Sequence, residues 1–218
     1  MFPACSWMPG KPRPEERWKR PAEIADFNQL YSQNCSGCHG ANGRQGAAQP
    51  LADPLYQALI TDESLRKVIA GGVSGTLMPA FAESAGGSLT AAQIEVLVAG
   101  MRERWAGSGE FKNVELPPYS LQDAIARGYR PGDPQRGAAV YHTYCAQCHG
   151  EEKGKAGSII DPNFLALMSD QFLRTTVITG RPDLNKPDWR SNLPGKAMTS
   201  QEVSDVVAWL SSMRAAGQ

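Results

Sequence analysis

Apolar positions recur every three to four residues along several segments of the chain. Ile94, Leu97, Val98 and Met101 share one helical face, as do Val203, Val206, Val207 and Leu210. Each run follows a hydroxyl residue with an amide or carboxylate side chain three positions on, in Thr90-Ala91-Ala92-Gln93 and Thr199-Ser200-Gln201-Glu202. In such capping boxes the two side chains satisfy N–H groups that a helix start leaves free, so both mark helix N-termini. Ser169 precedes Phe172, Leu173, Val177 and Ile178 in the same way, with Gly180 as the expected stop. No stretch reads as a persuasive strand, and the expected fold class is all-α.

An offset of 110 (145 − 35) at the motifs, falling to 109 (178 − 69) further on, superposes the two halves of the chain. Leu30-Tyr31-Ser32-Gln33-Asn34-Cys35 then matches Val140-Tyr141-His142-Thr143-Tyr144-Cys145. Further on, Ile69-Ala70-Gly71 matches Ile178-Thr179-Gly180, and Leu97-Val98-Ala99 matches Val206-Val207-Ala208. The expected order in each half is helix, Cys-containing motif, loop, helix, loop, helix. Residues 107–133, with Leu116-Pro117-Pro118-Tyr119 and Arg130-Pro131-Gly132-Asp133, read as a Pro/Gly-containing linker. The division is a tail over 1–21, a first domain over 22–106, the linker over 107–133 and a second domain over 134–218.

Composition removes several function classes. Apolar residues are 41% and charged residues 20% of the chain, too polar a mix for a membrane span. Lys+Arg and Asp+Glu balance at 22 each, so no basic excess argues for a nucleic-acid partner.

Four of the five cysteines lie in two copies of one motif, Cys35-Ser36-Gly37-Cys38-His39 and Cys145-Ala146-Gln147-Cys148-His149. Two thiols three residues apart lie on one helical turn and reach the two vinyl groups of one porphyrin. The next residue then presents its imidazole to the iron. Cys35, Cys38 and His39, and likewise Cys145, Cys148 and His149, are therefore expected to attach and ligate two covalently bound haem c groups. A structural zinc site needs four protein ligands, and each half supplies two Cys and one motif His, His142 being the remaining histidine. A thioredoxin-like redox pair needs a βαβ setting, which the pattern lacks.

Together these features resemble two tandem class I cytochrome c domains spanning residues 22–218. The resemblance implies that the first and last helices of each domain cross, with a small residue against an aromatic one. In the repeat register this sets Phe27 over Gly100 in one half and Trp209 over Gly137 in the other, large and small partners exchanged.

The sixth iron ligand differs between the halves. Gly75-Thr76-Leu77-Met78-Pro79-Ala80-Phe81 resembles the family's Met-Pro ligand loop and implies Met78, 39 residues beyond His39 (78 − 39), as the soft thioether ligand of the first haem. A buried core methionine is the plain alternative. The second half offers Gly180-Arg181-Pro182-Asp183-Leu184-Asn185-Lys186-Pro187-Asp188-Trp189, with Lys186 in the place of Met78. Three arrangements compete there: Lys186 bound as the neutral amine, Met198 reaching in from 49 residues past His149 (198 − 149), or an open site. Met198 aligns with Leu89, a core position, and His142 reads as a surface residue of its helix. A lysine ligand would lower the second potential relative to the first.

Cys5 stands alone. Ala4-Cys5 resembles the end of a bacterial lipoprotein signal, which implies acylation of Cys5 with residues 9–21 as a Pro-rich spacer. An unpaired thiol in a disordered tail is the alternative. No apolar signal core lies in residues 1–20, yet cytochromes with this attachment are assembled outside the cytoplasmic membrane. The expected location is the periplasm or the outer face of that membrane.

The resemblance implies a diheme electron carrier with redox-protein partners, a quinol-oxidising complex or a terminal oxidase among them. The competing class is a diheme redox enzyme, peroxidase-like or thiosulfate-oxidising, with the second haem catalytic. Its support is the lost Met-Pro pair. Against it, peroxidase-type diheme enzymes are longer, and thiosulfate enzymes use a Cys ligand that this chain lacks outside its motifs, Cys5 excepted.

Overall fold

Aspartates followed by proline open three of the helices in a computed structural model that describes residues 10, 13, 17–150 and 157–214. Cys5 and its acylation lie outside the described residues. In chain order the helices are α1 (Phe27–Asn34), α2 (Ser36–His39), α3 (Pro54–Leu59), α4 (Asp62–Gly71), α5 (Ala91–Trp105), α6 (Leu121–Ala126), α7 (Pro134–Tyr144), α8 (Ala146–His149), α9 (Pro162–Ala166), α10 (Asp170–Thr179) and α11 (Ser200–Ser212). Among the described residues β-pairing is limited to isolated bridges, so the fold is all-α. No helix among them is long and apolar enough to cross a membrane.

Both expected capping boxes form, Thr90 with Gln93 on α5 and Thr199 with Glu202 on α11. Ser169 caps α10 by accepting from Phe172 N at 3.1 Å. Gly180 ends α10 with left-handed backbone (φ 65°), and the residue doing the same after α4 is Gly72 rather than Gly71. The short helices α3 and α9 add elements that the sequence pattern left as loop. Asp53, Asp133 and Asp161 cap α3, α7 and α9, and the proline that follows each has a preset φ and no N–H to leave unpaired.

The first and last helices of each half cross as the register implies, but the two crossings are not equivalent. A Cβ on Gly100 would lie 2.1 Å from a ring carbon of Phe27, so the glycine makes room for the ring. A Cβ on Gly137 would lie 2.1 Å from the Asp205 carbonyl oxygen and 2.6 Å from Trp209 Cβ. Here the glycine brings two backbones together, and the Trp209 ring lies on Tyr141 instead, with centroids 4.5 Å apart.

Asp205 secures this second crossing. Its carboxylate accepts from Arg136 Nε (2.8 Å) and Nη2 (2.9 Å), from Asp133 N (2.9 Å) and from Gln201 Nε2 (3.1 Å). Burial pushes the group up, but Arg136, Asp133 and Gln201 together hold it below the usual carboxylate range. Its stabilisation is thus present at neutral pH and lost as pH falls through the lowered value. Asp205→Ala is expected to destabilise the protein by about 2 kcal/mol at pH 7, because it removes the buried charged acceptor that ties Arg136, Asp133 and Gln201 together. Urea melts at descending pH check this: the gap to wild type should start to narrow below about pH 4, where the unfolded chain's carboxylate gains a proton, and close once pH has fallen through the lowered folded value.

The two cores are not sealed from each other. One gathers Phe27, Leu30, Tyr31, Leu97, Val98 and Met101. The other gathers Tyr141, Tyr144, Leu165, Ile178, Val206 and Leu210, and takes in Leu55 and Leu59 from α3 of the first half. Within the linker 107–133, the stretch 116–120 packs against the cores, while most of the rest is exposed. Pro117 and Pro118 are buried, Tyr119 touches both cores, and Ser120 caps α6 in a box with Asp123. The buried Arg174 of α10 donates to Pro118 O (2.9 Å), and Gln171 donates to Tyr119 O (2.9 Å).

Candidate functional site

Each motif sits at a break between two helices. α1 ends at Asn34, and Cys35 (φ −119°, ψ −36°) turns the chain into α2. Cys145 makes the same turn between α7 and α8 at φ −117°, ψ −37°. Cys35 N donates to Tyr31 O at 2.8 Å and His39 N to Cys35 O at 3.0 Å, and the second half repeats these at 2.8 and 2.9 Å. The tyrosine four residues before each motif locks the turn: Tyr31 OH donates to Gly40 O (2.8 Å) and Tyr141 OH to His149 O (2.6 Å). The repeat displays this tyrosine in both halves, though its role needs the fold to be seen.

The first cysteine of each motif, Cys35 and Cys145, is half-buried, and the second, Cys38 and Cys148, is exposed. Burial, then the neighbouring cysteine, pushes Cys35 and Cys145 each up to about 11. Among the described residues no group of three or more His, Cys, Asp or Glu side chains can hold a metal ion.

The two motif histidines are prepared as ligands. His39 is buried, and its Nδ1 donates to Gln49 O at 2.8 Å. His149 Nδ1 donates to Gly157 O at the same distance. A carbonyl can only accept, so Nδ1 carries the proton and Nε2 keeps its lone pair for iron. Burial lowers the His39 pKa, which also favours the neutral ligand form.

The loops beyond α4 and α10 are built alike. Val73 N donates to Met78 O (3.0 Å), and Arg181 N donates to Lys186 O (3.3 Å). Phe81 N donates to Ile69 O and Trp189 N to Ile178 O, both at 3.1 Å. A Cβ on Gly72 would strike Met78 O at 2.6 Å, and one on Gly180 would strike Pro187 O at 2.2 Å and Lys186 O at 2.7 Å. Lys186 thus stands where Met78 stands. Met198 N donates to Trp189 O (2.9 Å) as Leu89 N does to Phe81 O (2.8 Å), and Met198 is 3% exposed in the second core. Its sulfur lies 3.9 Å from Asn192 Nδ2. His142 is exposed on α7.

The model of the family described as cytochrome c oxidase, cbb3-type, subunit III, matches residues 22–99 and 132–210. The chain belongs to this family. It is a c-type cytochrome of two tandem cytochrome c domains, and its cofactor is covalently bound haem c. Among solved structures it is similar to a c-type cytochrome, KustC0563, at 31% identity over 36% of this chain and 95% of that one, with a TM-score of 0.32. It is also similar to a chain of the reducing HAO-like protein complex Kustc0457/Kustc0458 of Kuenenia stuttgartiensis, at 18% identity over 86% of this chain and 95% of that one, with a TM-score of 0.45. In these cytochrome domains the motif cysteines would anchor the ring and His39 and His149 would hold its iron. Haem iron supplies a centre that takes up and releases one electron. The surrounding residues set how readily it does so, through the Nδ1 bonds and the side chains presented by the loops after α4 and α10.

Sequence reasoning did not reach Gln49 and Gly157, whose carbonyls fix the histidines. Nor did it reach Arg181 and Asp183, an ion pair (2.9 Å) inside the second ligand loop. A backbone acceptor has no residue-type signature, so nothing in the sequence marks the first two.

Proposed function

We propose that the chain is a diheme electron carrier that works outside the cytoplasmic membrane. It carries one haem on Cys35, Cys38 and His39 and another on Cys145, Cys148 and His149. The observation that carries this reading is the duplicated attachment geometry. The two motifs share backbone angles, locking tyrosine and Nδ1-to-carbonyl bond, within two halves that share core residues. The partners are redox proteins, with a quinol-oxidising complex as donor and a terminal oxidase as acceptor. The family's description names such an oxidase. Acylation of Cys5 would hold the carrier at the membrane's outer face.

Ligation is His39/Met78 at the first haem and His149/Lys186 at the second. Lys186 is favoured over Met198 because its carbonyl makes the loop bond that Met78 makes, whereas Met198 replaces a core leucine. A redox titration with spectra resolved for each haem tests the function. Two one-electron waves are expected, the higher at the first haem. A single haem per chain would overturn the reading.

The Lys186 substitution also supports a second reading, a redox enzyme acting at the second haem. Peroxide-dependent turnover with a small electron donor would favour it over the carrier.

A further inference from the structure

The loop after the first motif lies against the end of α10 and the second ligand loop. Gln45 N donates to Asp183 Oδ2 (2.9 Å), and Arg181 Nη2 donates to Gly46 O (2.9 Å). Gln49 Nε2 donates to Thr179 Oγ1 (2.8 Å), and Thr176 Oγ1 donates to Gln49 Oε1 (3.3 Å). Gln49 and Thr179 are 7% and 2% exposed, so no water competes for the amide. Gln49 is also the residue whose carbonyl receives His39 Nδ1.

We propose that Gln49 is a positioning residue that couples the two haem sites, its carbonyl holding the proximal ligand of the first and its side chain the root of the ligand loop of the second. The proposal rests on the diheme reading above. Thr179 is the last residue of α10, and Gly180 turns the chain into the loop carrying Lys186. Any displacement of that loop reaches His39 through Thr179, the Gln49 amide and the Gln49 carbonyl. The strength of the Nδ1–H bond sets how much electron density the imidazole gives to iron. A firm bond favours the oxidised state, and a slack one favours reduction. Because coupling between two equilibria is reciprocal, the oxidation state of the first haem also biases the second.

Thr179→Val in the full-length holoprotein removes the hydroxyl and keeps the shape. The expected result is that reduction of the first haem becomes about fivefold more favourable, as loss of one hydrogen bond implies. The paramagnetically shifted Nδ1–H resonance of His39 should move with it, although the substitution lies in the other half. Gln49→Leu should give the same change, the double variant no more than either, and Thr179→Ser should restore wild-type values. With both haems attached, an unmoved first potential and an unmoved His39 resonance in Thr179→Val overturn the coupling and leave the carrier reading intact. So does a change in Gln49→Leu alone, which would make the effect local. Should Thr179→Val not fold, Thr176→Val replaces it, with a smaller shift of the same sign expected and no shift overturning the proposal. A chain carrying fewer than two haems would overturn both.

Discussion

Lys186→Met is expected to raise the potential of the second haem by on the order of 0.2 V, a fraction of the about 0.8 V over which axial ligands tune haem iron. The loop already has the geometry of a methionine loop. Lys186 O accepts from Arg181 N as Met78 O accepts from Val73 N, Pro187 follows as Pro79 does, and Trp189 replaces Phe81 at the same anchor on the preceding helix. The substitution therefore changes the donor atom and little else. An amine is a stronger σ-donor than a thioether and holds ferric iron more firmly, so replacing it favours the reduced state. Spectroelectrochemical titration reads the change directly. The two waves of the wild type should draw together in the variant, and a second wave that does not move would mean that Lys186 is not a ligand.

Gly137→Ala is expected to be strongly destabilising, costing about 3 kcal/mol, the upper part of the range for overpacking. The added carbon would meet the Asp205 carbonyl oxygen at 2.1 Å, and a backbone atom inside α11 has nowhere to go. Separation of α7 and α11 would also loosen the Arg136–Asp205 pair. Gly100→Ala should cost clearly less, since its neighbour there is the Phe27 ring, which can turn aside. Denaturant melts of the two variants give the comparison, and equal costs would contradict the difference between the crossings.

Much of this was legible because it is local. Thr90, Ser169 and Thr199 advertise helix starts through side-chain chemistry within three residues, and the Cys-x-x-Cys-His motifs carry their whole meaning in five. The register pairing of Met78 with Lys186 survived because both loops are tied at both ends by backbone bonds. What stayed hidden is non-local. Leu55 and Leu59 have the pattern of any short apolar helix, and nothing in it says that they enter the other half's core. Pro117-Pro118 is turn chemistry in sequence, yet the buried Arg174 ties this stretch to the core by bonding Pro118 O. Ser120 and Asp123 cap the short helix α6 inside a segment whose prolines and glycines are turn chemistry in sequence. Gln49 is ordinary in composition and acts only where two halves meet.

The duplicated attachment sites are expected to be unequal in their sixth ligands. Near-infrared magnetic circular dichroism of the fully oxidised holoprotein tests this most directly, since its charge-transfer bands report the axial pair at each iron. Two distinct bands of equal weight are expected, one from His39/Met78 and one from His149/Lys186. A single His/Met band accounting for both irons would contradict this inequality.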